Sequence, residues 1–160
     1  PGPLGSRHPS IAPFEAFATA DSWIVIAAGN DALFGALARA LGRAQWIDDT
    51  RFRENAARCK NVEALSGAIG NVLKTHGARH WLDLMETAGV PAGPINNVAQ
   101  VLEDAQIQAR NMVVTAHDPI AGPVKMAGNP IKFSGVEDSP TRPPAPDLDG
   151  DRENILKLLD

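Results

Sequence analysis

The stretch "GSRHPS", Gly5 to Ser10, sets a hydroxyl, a guanidinium and an imidazole side by side with no apolar residue between them. Ser6, Arg7 and His8 offer a small donor, an anion-binding fork and a proton carrier, and Gly5 adds backbone freedom next to them. A nucleophilic triad also needs a carboxylate that orients the imidazole, and none stands at a defined spacing from His8. The loop can therefore touch a ligand without being a complete catalytic apparatus.

Other constellations point to no chemistry of their own. His76 and His80 have the i, i+4 spacing of helical metal ligands, but Gly77 falls between them, no acidic residue takes the general-base position of a zincin motif, and no third ligand follows. The expected metal is none. His117, before Asp118 and Pro119, reads as a turn residue. Cys59 has basic neighbours in Arg58 and Lys60, which favour a thiolate, yet no histidine in its own segment, and it reads as structural or incidental. No glycine pattern makes a phosphate cradle. "IAAGNDALF" does run from strand into helix, but Asp31 already satisfies the helix dipole at that end, so a plain capped helix is expected.

The totals exclude several classes. With a net charge of −4, a pI near 5.5 and no basic cluster, the chain has no electrostatic footprint for nucleic acid. Tyrosine is absent and aromatics make up 5%, too few for a base- or sugar-stacking platform. No apolar run reaches the length of a membrane span, so no membrane partner is expected. The single cysteine cannot pair within the chain, which favours a reduced, cytoplasmic setting. At 160 residues the chain suits one domain, or one modest domain with a tail.

The elements that must position the loop are legible in outline. Four prolines and two glycines in "PGPLGSRHPSIAP" predict an irregular lead-in. "GPLGS" also matches the scar of a tag-removing protease, which would make residues 1–6 an expression remnant, although Pro1 lies before it. "SWIVIAAG" predicts a strand buried on both faces. Asn30 caps a helix with Leu33, Phe34, Leu37 and Leu41 on one face, ended by Gly42. Trp46, Ile47 and Phe52 anchor a polar excursion. Val62, Leu65, Ile69, Val72 and Leu73 form one helical stripe and Trp81, Leu82, Leu84, Met85 and Ala88 another, a helical hairpin interrupted at Gly77 and ended at Gly89.

Beyond it, "AGVPAGPIN" is a rigid corner in which proline fixes φ and glycine permits the turn. "VAQVLEDAQIQARN" predicts a short helix with Val98, Val101 and Leu102 inward and a second turn around Ile107. "MVVTA", "VKM" and "IKF" are β-type runs, and "SPTRPPAPD" is a proline-rich linker before a last helix, "RENILKLL". The fold class is α+β: a helical hairpin and further helices packed with a small antiparallel sheet, then an extended proline-rich tail and a final helix. The expected divisions are residues 1–20 (lead-in), 21–135 (small α+β domain) and 136–160 (linker and helix).

Taken together, "RHPSIAPFEAFATADSWIVIAAGN", "LGRAQWIDDTRFRENAARCKN", "AGVPAGPINNVAQVLEDAQIQARNMVV", "GNPIKFSG" and "TRPPAP" before a short helix resemble, in order, the C-terminal part of the family III acyl-CoA transferases. That group includes formyl-CoA transferase, carnitine CoA-transferase and the α-methylacyl-CoA racemases. The resemblance implies transfer of CoA between an acyl-CoA and a free carboxylic acid, through attack of an enzyme aspartate on the thioester and an anhydride intermediate. In the racemase branch it implies proton exchange next to the thioester carbonyl. Coenzyme A enters as thioester substrate, and no tightly bound cofactor is implied.

The family's nucleophilic aspartate and most nucleotide contacts belong to an N-terminal portion that matches nothing here, so no residue of this chain is expected to be catalytic. The resemblance makes Gly5, Ser6, Arg7 and His8 candidates for a lid over the reacting thioester. It makes Val90, Pro91, Gly93 and Pro94 candidates for the edge of the acyl pocket. The missing large domain is the implied partner, within an interlocked homodimer, and the final helix, which would dock there, is expected in this chain to be mobile or to pack on a neighbouring copy through Ile155, Leu156, Leu158 and Leu159. An autonomous interaction module assembling with a separate large subunit remains a third reading. Two departures, fewer consecutive glycines in the lid and Asp149-Gly150-Asp151-Arg152 in the tail, count against oxalate or formate specificity.

Overall fold

The computed structural model describes residues 5–158. Most of the stretch read as a tag scar, and Leu159 of the final helix, lie outside these residues. The chain divides into two compact units, residues 1–95 and 96–160.

In the first unit, β1 (Phe14–Ala18), β2 (Trp23–Ala27) and β3 (Ala92–Pro94) form an antiparallel sheet in the order β1-β2-β3. The strand expected at 22–29 is present, but it is not buried on both faces. Ile24 and Ile26 are fully buried while Trp23 is 54% exposed, because only one face of the sheet is covered. β1 pairs with it in the register Phe14 to Ala27 through Ala18 to Trp23.

Helices α1 (Asp31–Ala40), α2 (Asn55–Lys60), α3 (Val62–Leu73) and α4 (Ala78–Ala88) follow, with a 3₁₀ turn at Ala44–Trp46. The Asn30 side chain accepts from Leu33 N, as its type predicts. Gly89 closes α4 in the left-handed region, φ 68°. The stripes merge into one aliphatic core, where Phe34, Leu37, Leu65, Ile69, Leu73 and Met85 lie against Ile24 and Ile26. The helical hairpin is α3–α4.

The second unit holds α5 (Val98–Glu103), α6 (Ala105–Ala109), β4 (Val113–Asp118), β5 (Gly122–Ala127), β6 (Thr141–Arg142) and α7 (Arg152–Leu156). β4 pairs with β5 antiparallel and with β6 parallel, so this sheet is mixed. Three local expectations are corrected. Val98, Val101 and Leu102 point to solvent, at 76%, 37% and 45% exposure, in a helix stabilised by its Asn97–Gln100 capping box instead of by burial. "IKF" is not a strand: Asn129 Oδ1 accepts from Ile131 N in a local turn. A strand instead lies inside the proline-rich tail: β6 pairs with β4, and Pro140 O accepts from Thr115 N.

Candidate functional site

The Gly5–Ser10 loop is fixed along the free edge of β1. Gly5 has φ 65°, a conformation that only glycine adopts at no steric cost. The His8 amide then donates to Phe14 O at 2.9 Å, and Ser6 Oγ accepts from Ala16 N at 3.0 Å. Two edge groups of β1 are thereby occupied by the loop, which also protects the edge from pairing with another strand. The His8 ring stacks on Phe14 with centroids 5.4 Å apart, and its Nδ1 accepts from Ser10 N at 3.2 Å. Arg7 Nη1 reaches Glu63 of α3 at 2.8 Å. Ser6 Oγ, Arg7 Nη1 and His8 Nδ1 thus help to hold the loop, and the three side chains form no triad with one another.

Three residues that sequence reasoning did not assign to the site complete its base. The Asn55 side chain donates to Ser10 O at 2.9 Å and accepts from Ala12 N at 3.1 Å. Arg58 is fully buried, and its Nε donates to Ala12 O at 2.6 Å, Nη1 to Phe52 O at 2.9 Å and Nη2 to Asp31 Oδ1 at 2.7 Å. Its guanidinium also lies 4.5 Å from the centroid of the Phe34 ring. Burying a cation is costly unless its donors are matched; here carbonyls, a carboxylate and an aromatic face supply the match. Glu63, in the first turn of α3, is the partner of Arg7. Asn55 and Arg58 lie in the block "RFRENAARCKN", with Glu63 two residues beyond it, but nothing in that pattern marks which of the charged residues is buried.

Beneath the loop is a cleft of about 70 Å³ lined by Arg7, His8, Pro9, Ile11, Ala12, Cys59 and Val62. Cys59, half-buried, forms part of its floor, with Sγ 3.8 Å from Asn55 Oδ1. The cleft is too small to hold an acyl-CoA.

The corner at Val90–Pro94 flanks the same end of β2. Ala27 N donates to Pro91 O at 2.9 Å, and the next amide, Ala28 N, donates to Pro13 O at 3.0 Å. Loop base and corner base thus sit on either side of one strand, about 10 Å apart by ordinary strand spacing. The corner is itself strand β3, an edge strand, where a proline without a donor is tolerated. Val90 is only 3% exposed and belongs to the core, which leaves Pro91, Gly93 and Pro94 towards the surface.

Among the described residues no group of three His, Cys, Asp or Glu side chains could hold a metal ion. The His76 and His80 rings stack on each other at 4.2 Å, with Trp81 edge-on to both.

Comparison with known proteins bears on this arrangement. Residues 1–152 match the sequence profile of CoA-transferase family III. The chain is 44% identical to acetyl-CoA:oxalate CoA-transferase of Acetobacter aceti over 93% of its own length and 37% of that protein's. It is 33% identical to human succinyl-CoA:glutarate CoA-transferase over 96% of its length and 35% of that protein's. A crystal structure of a CAIB/BAIF family protein from Brucella suis superimposes with a TM-score of 0.77 and 35% identity, covering 100% of this chain and 41% of that one. The chain therefore spans about a third of the length of the curated relatives it matches.

Proposed function

The chain belongs to CoA-transferase family III, and from that premise we propose that it forms the smaller part of an enzyme moving CoA between an acyl-CoA and a free carboxylate. The observation that carries the reading is the match of residues 1–152 to a family whose members compared above are named as transferases. Those names favour transfer over racemization.

In this reading the nucleophilic aspartate lies outside the 160 residues, in a larger part with which this chain shares an interlocked homodimer, and the enzyme works in the cytoplasm. The carboxylate attacks the thioester carbonyl, the carbon–sulfur bond breaks and thiolate leaves, giving an acyl anhydride. Such an anhydride survives only where water is kept out. Gly5, Ser6, Arg7 and His8 supply the cover, and Pro91, Gly93 and Pro94 a wall beside it. Because Ser6 Oγ, Arg7 Nη1 and His8 Nδ1 support the loop and no carboxylate orients the imidazole, its contribution is shape and exclusion, with no proton transfer assigned to it.

Oxalate stands among the acceptors to be tried, since the similarity to an oxalate enzyme over most of the chain outweighs the two local departures in loop and tail. The test is mass-spectrometric detection of new CoA thioesters when the complete gene product is given acetyl-CoA or succinyl-CoA with oxalate or glutarate. A new thioester from either donor supports transfer. No new thioester, together with deuterium entering the α-position of a branched acyl-CoA, would replace it with racemization.

A further inference from the structure

We infer that Asn55 is a positioning residue for the covering loop: its side-chain amide, bonded to both Ser10 O and Ala12 N, latches residues 6–12 to α2 and so controls how well the loop excludes water. The inference rests on the reading of residues 5–8 as that cover.

The geometry singles out Asn55 for a physical reason. Its amide presents a donor and an acceptor in the plane of one group, and they meet a carbonyl and an N–H two residues apart, as a neighbouring strand would. Ala12 is only 1% exposed, so its N–H has no water to fall back on once the acceptor is removed. Arg58 holds the same residue by its carbonyl, but Arg58 also ties Phe52 and Asp31 together and is part of the core. The Arg7–Glu63 pair is mostly solvated on the glutamate side, 90% exposed, and contributes orientation more than strength. Asn55, half-buried in the first turn of α2, is thus the contact that can be removed without dismantling the fold.

Cys59 makes the latch observable without an activity assay. It lines the cleft under the loop, so a thiol reagent reaches it more readily when the loop lifts. Because Sγ also touches Asn55 Oδ1, the labelling is read beside amide exchange of residues 6–12, which must rise with it. In the complete gene product, alkylation of the Cys59 peptide is followed by mass spectrometry for the parent, Asn55→Ala and Asn55→Asp. Asn55→Ala should label about tenfold faster, the loss of one to two net hydrogen bonds. Asn55→Asp keeps the acceptor for Ala12 N, loses the donor to Ser10 O and should fall between the two.

The same proteins are assayed for acyl-CoA hydrolysis against transfer. Asn55→Ala should raise the hydrolysis-to-transfer ratio by about tenfold with KM for acyl-CoA within about twofold, because excluding water acts after substrate binding. Unchanged Cys59 labelling in Asn55→Ala would overturn the latch. Faster labelling with an unchanged hydrolysis ratio would leave the latch standing and overturn the covering role of the loop. Equal rises in KM and labelling, with no change in partition, would make the loop a binding surface and overturn the positioning role of Asn55 in water exclusion.

Discussion

Asp21 and Ala78, 57 residues apart, are joined by a 2.8 Å hydrogen bond from the Ala78 amide to Asp21 Oδ1. α4 has no side-chain cap from its own N-cap residue, Gly77, so the β1–β2 turn supplies one from outside the helix. The same carboxylate accepts from Thr19 Oγ1 at 3.0 Å, and a β-carbon at position 77 would run into it. Gly77, which on sequence only breaks the hairpin, is there to let the turn in.

A pH dependence follows. The Ala78 amide, then Thr19 and Ser22, hold the Asp21 carboxyl below its ordinary value of 3.8. A lowered folded-state pKa means that the contribution is complete above the unfolded value and is lost as pH falls through the folded one. The difference in Tm between the parent and Asp21→Asn should be constant from pH 7 to about 4 and shrink below that. A difference that instead grows on acidification would refute the assignment.

The second unit has a comparable node in Asp138. It pairs with Lys132 at 2.5 Å and Arg142 at 3.1 Å, while Asn111 Nδ2 donates to its backbone oxygen at 2.8 Å. Lys132 first, then Arg142 and Asn111, hold its carboxyl below the usual range, so by the same sign this tie is present at neutral pH and lost in acid. Asp138→Ala should speed tryptic cleavage after Lys132 by several-fold, about the effect of a local opening made easier by the loss of its ion pairs to Lys132 and Arg142. Cleavage at the parental rate would mean that sheet pairing alone holds the segment.

What was legible in the sequence was apolar periodicity. The α1, α3 and α4 stripes and the presence of a strand at β2 needed only the residue types and their spacing, whereas the open face that leaves Trp23 exposed did not show in a continuous apolar run. "FEAFA" was not read as β1, because Glu15 stands on the strand's inner side; Ser66 Oγ of α3 donates to its carboxylate, a partner distant in sequence. β3 was hidden by Pro94 within it and Pro91 just before it, which look like a corner until β2 is placed beside them. The support of the loop was invisible for a deeper reason: buried Arg58 and latching Asn55 are polar residues in a polar segment, and only tertiary contacts tell them from solvated neighbours.

Two glycines should respond with opposite sign to the same change. Gly89 holds φ 68° at the end of α4, so Gly89→Ala should cost about 1 kcal/mol. Gly67 lies inside α3 with nothing within 4 Å of where a β-carbon would sit, and Gly67→Ala should gain about 0.5–1 kcal/mol. Chemical denaturation of both variants checks the pair. Destabilisation at both positions would mean that α3 does not present Gly67 to solvent in the protein.

Arg58→Met tests whether the buried guanidinium holds the core and loop base together. Met fills much of the volume but leaves Ala12 O and Phe52 O without their donors, while Asp31, 61% exposed, turns back to water. The expected loss is about 2–4 kcal/mol, two buried acceptors stranded plus imperfect packing. Arg58→Lys keeps the charge and cannot reach three separated partners with one ammonium, so it should recover only part of that loss. Full recovery by lysine would show that charge opposite Asp31 is the essential feature. A loss under about 1 kcal/mol in Arg58→Met would show that the three hydrogen bonds accompany a core held by its apolar side chains alone.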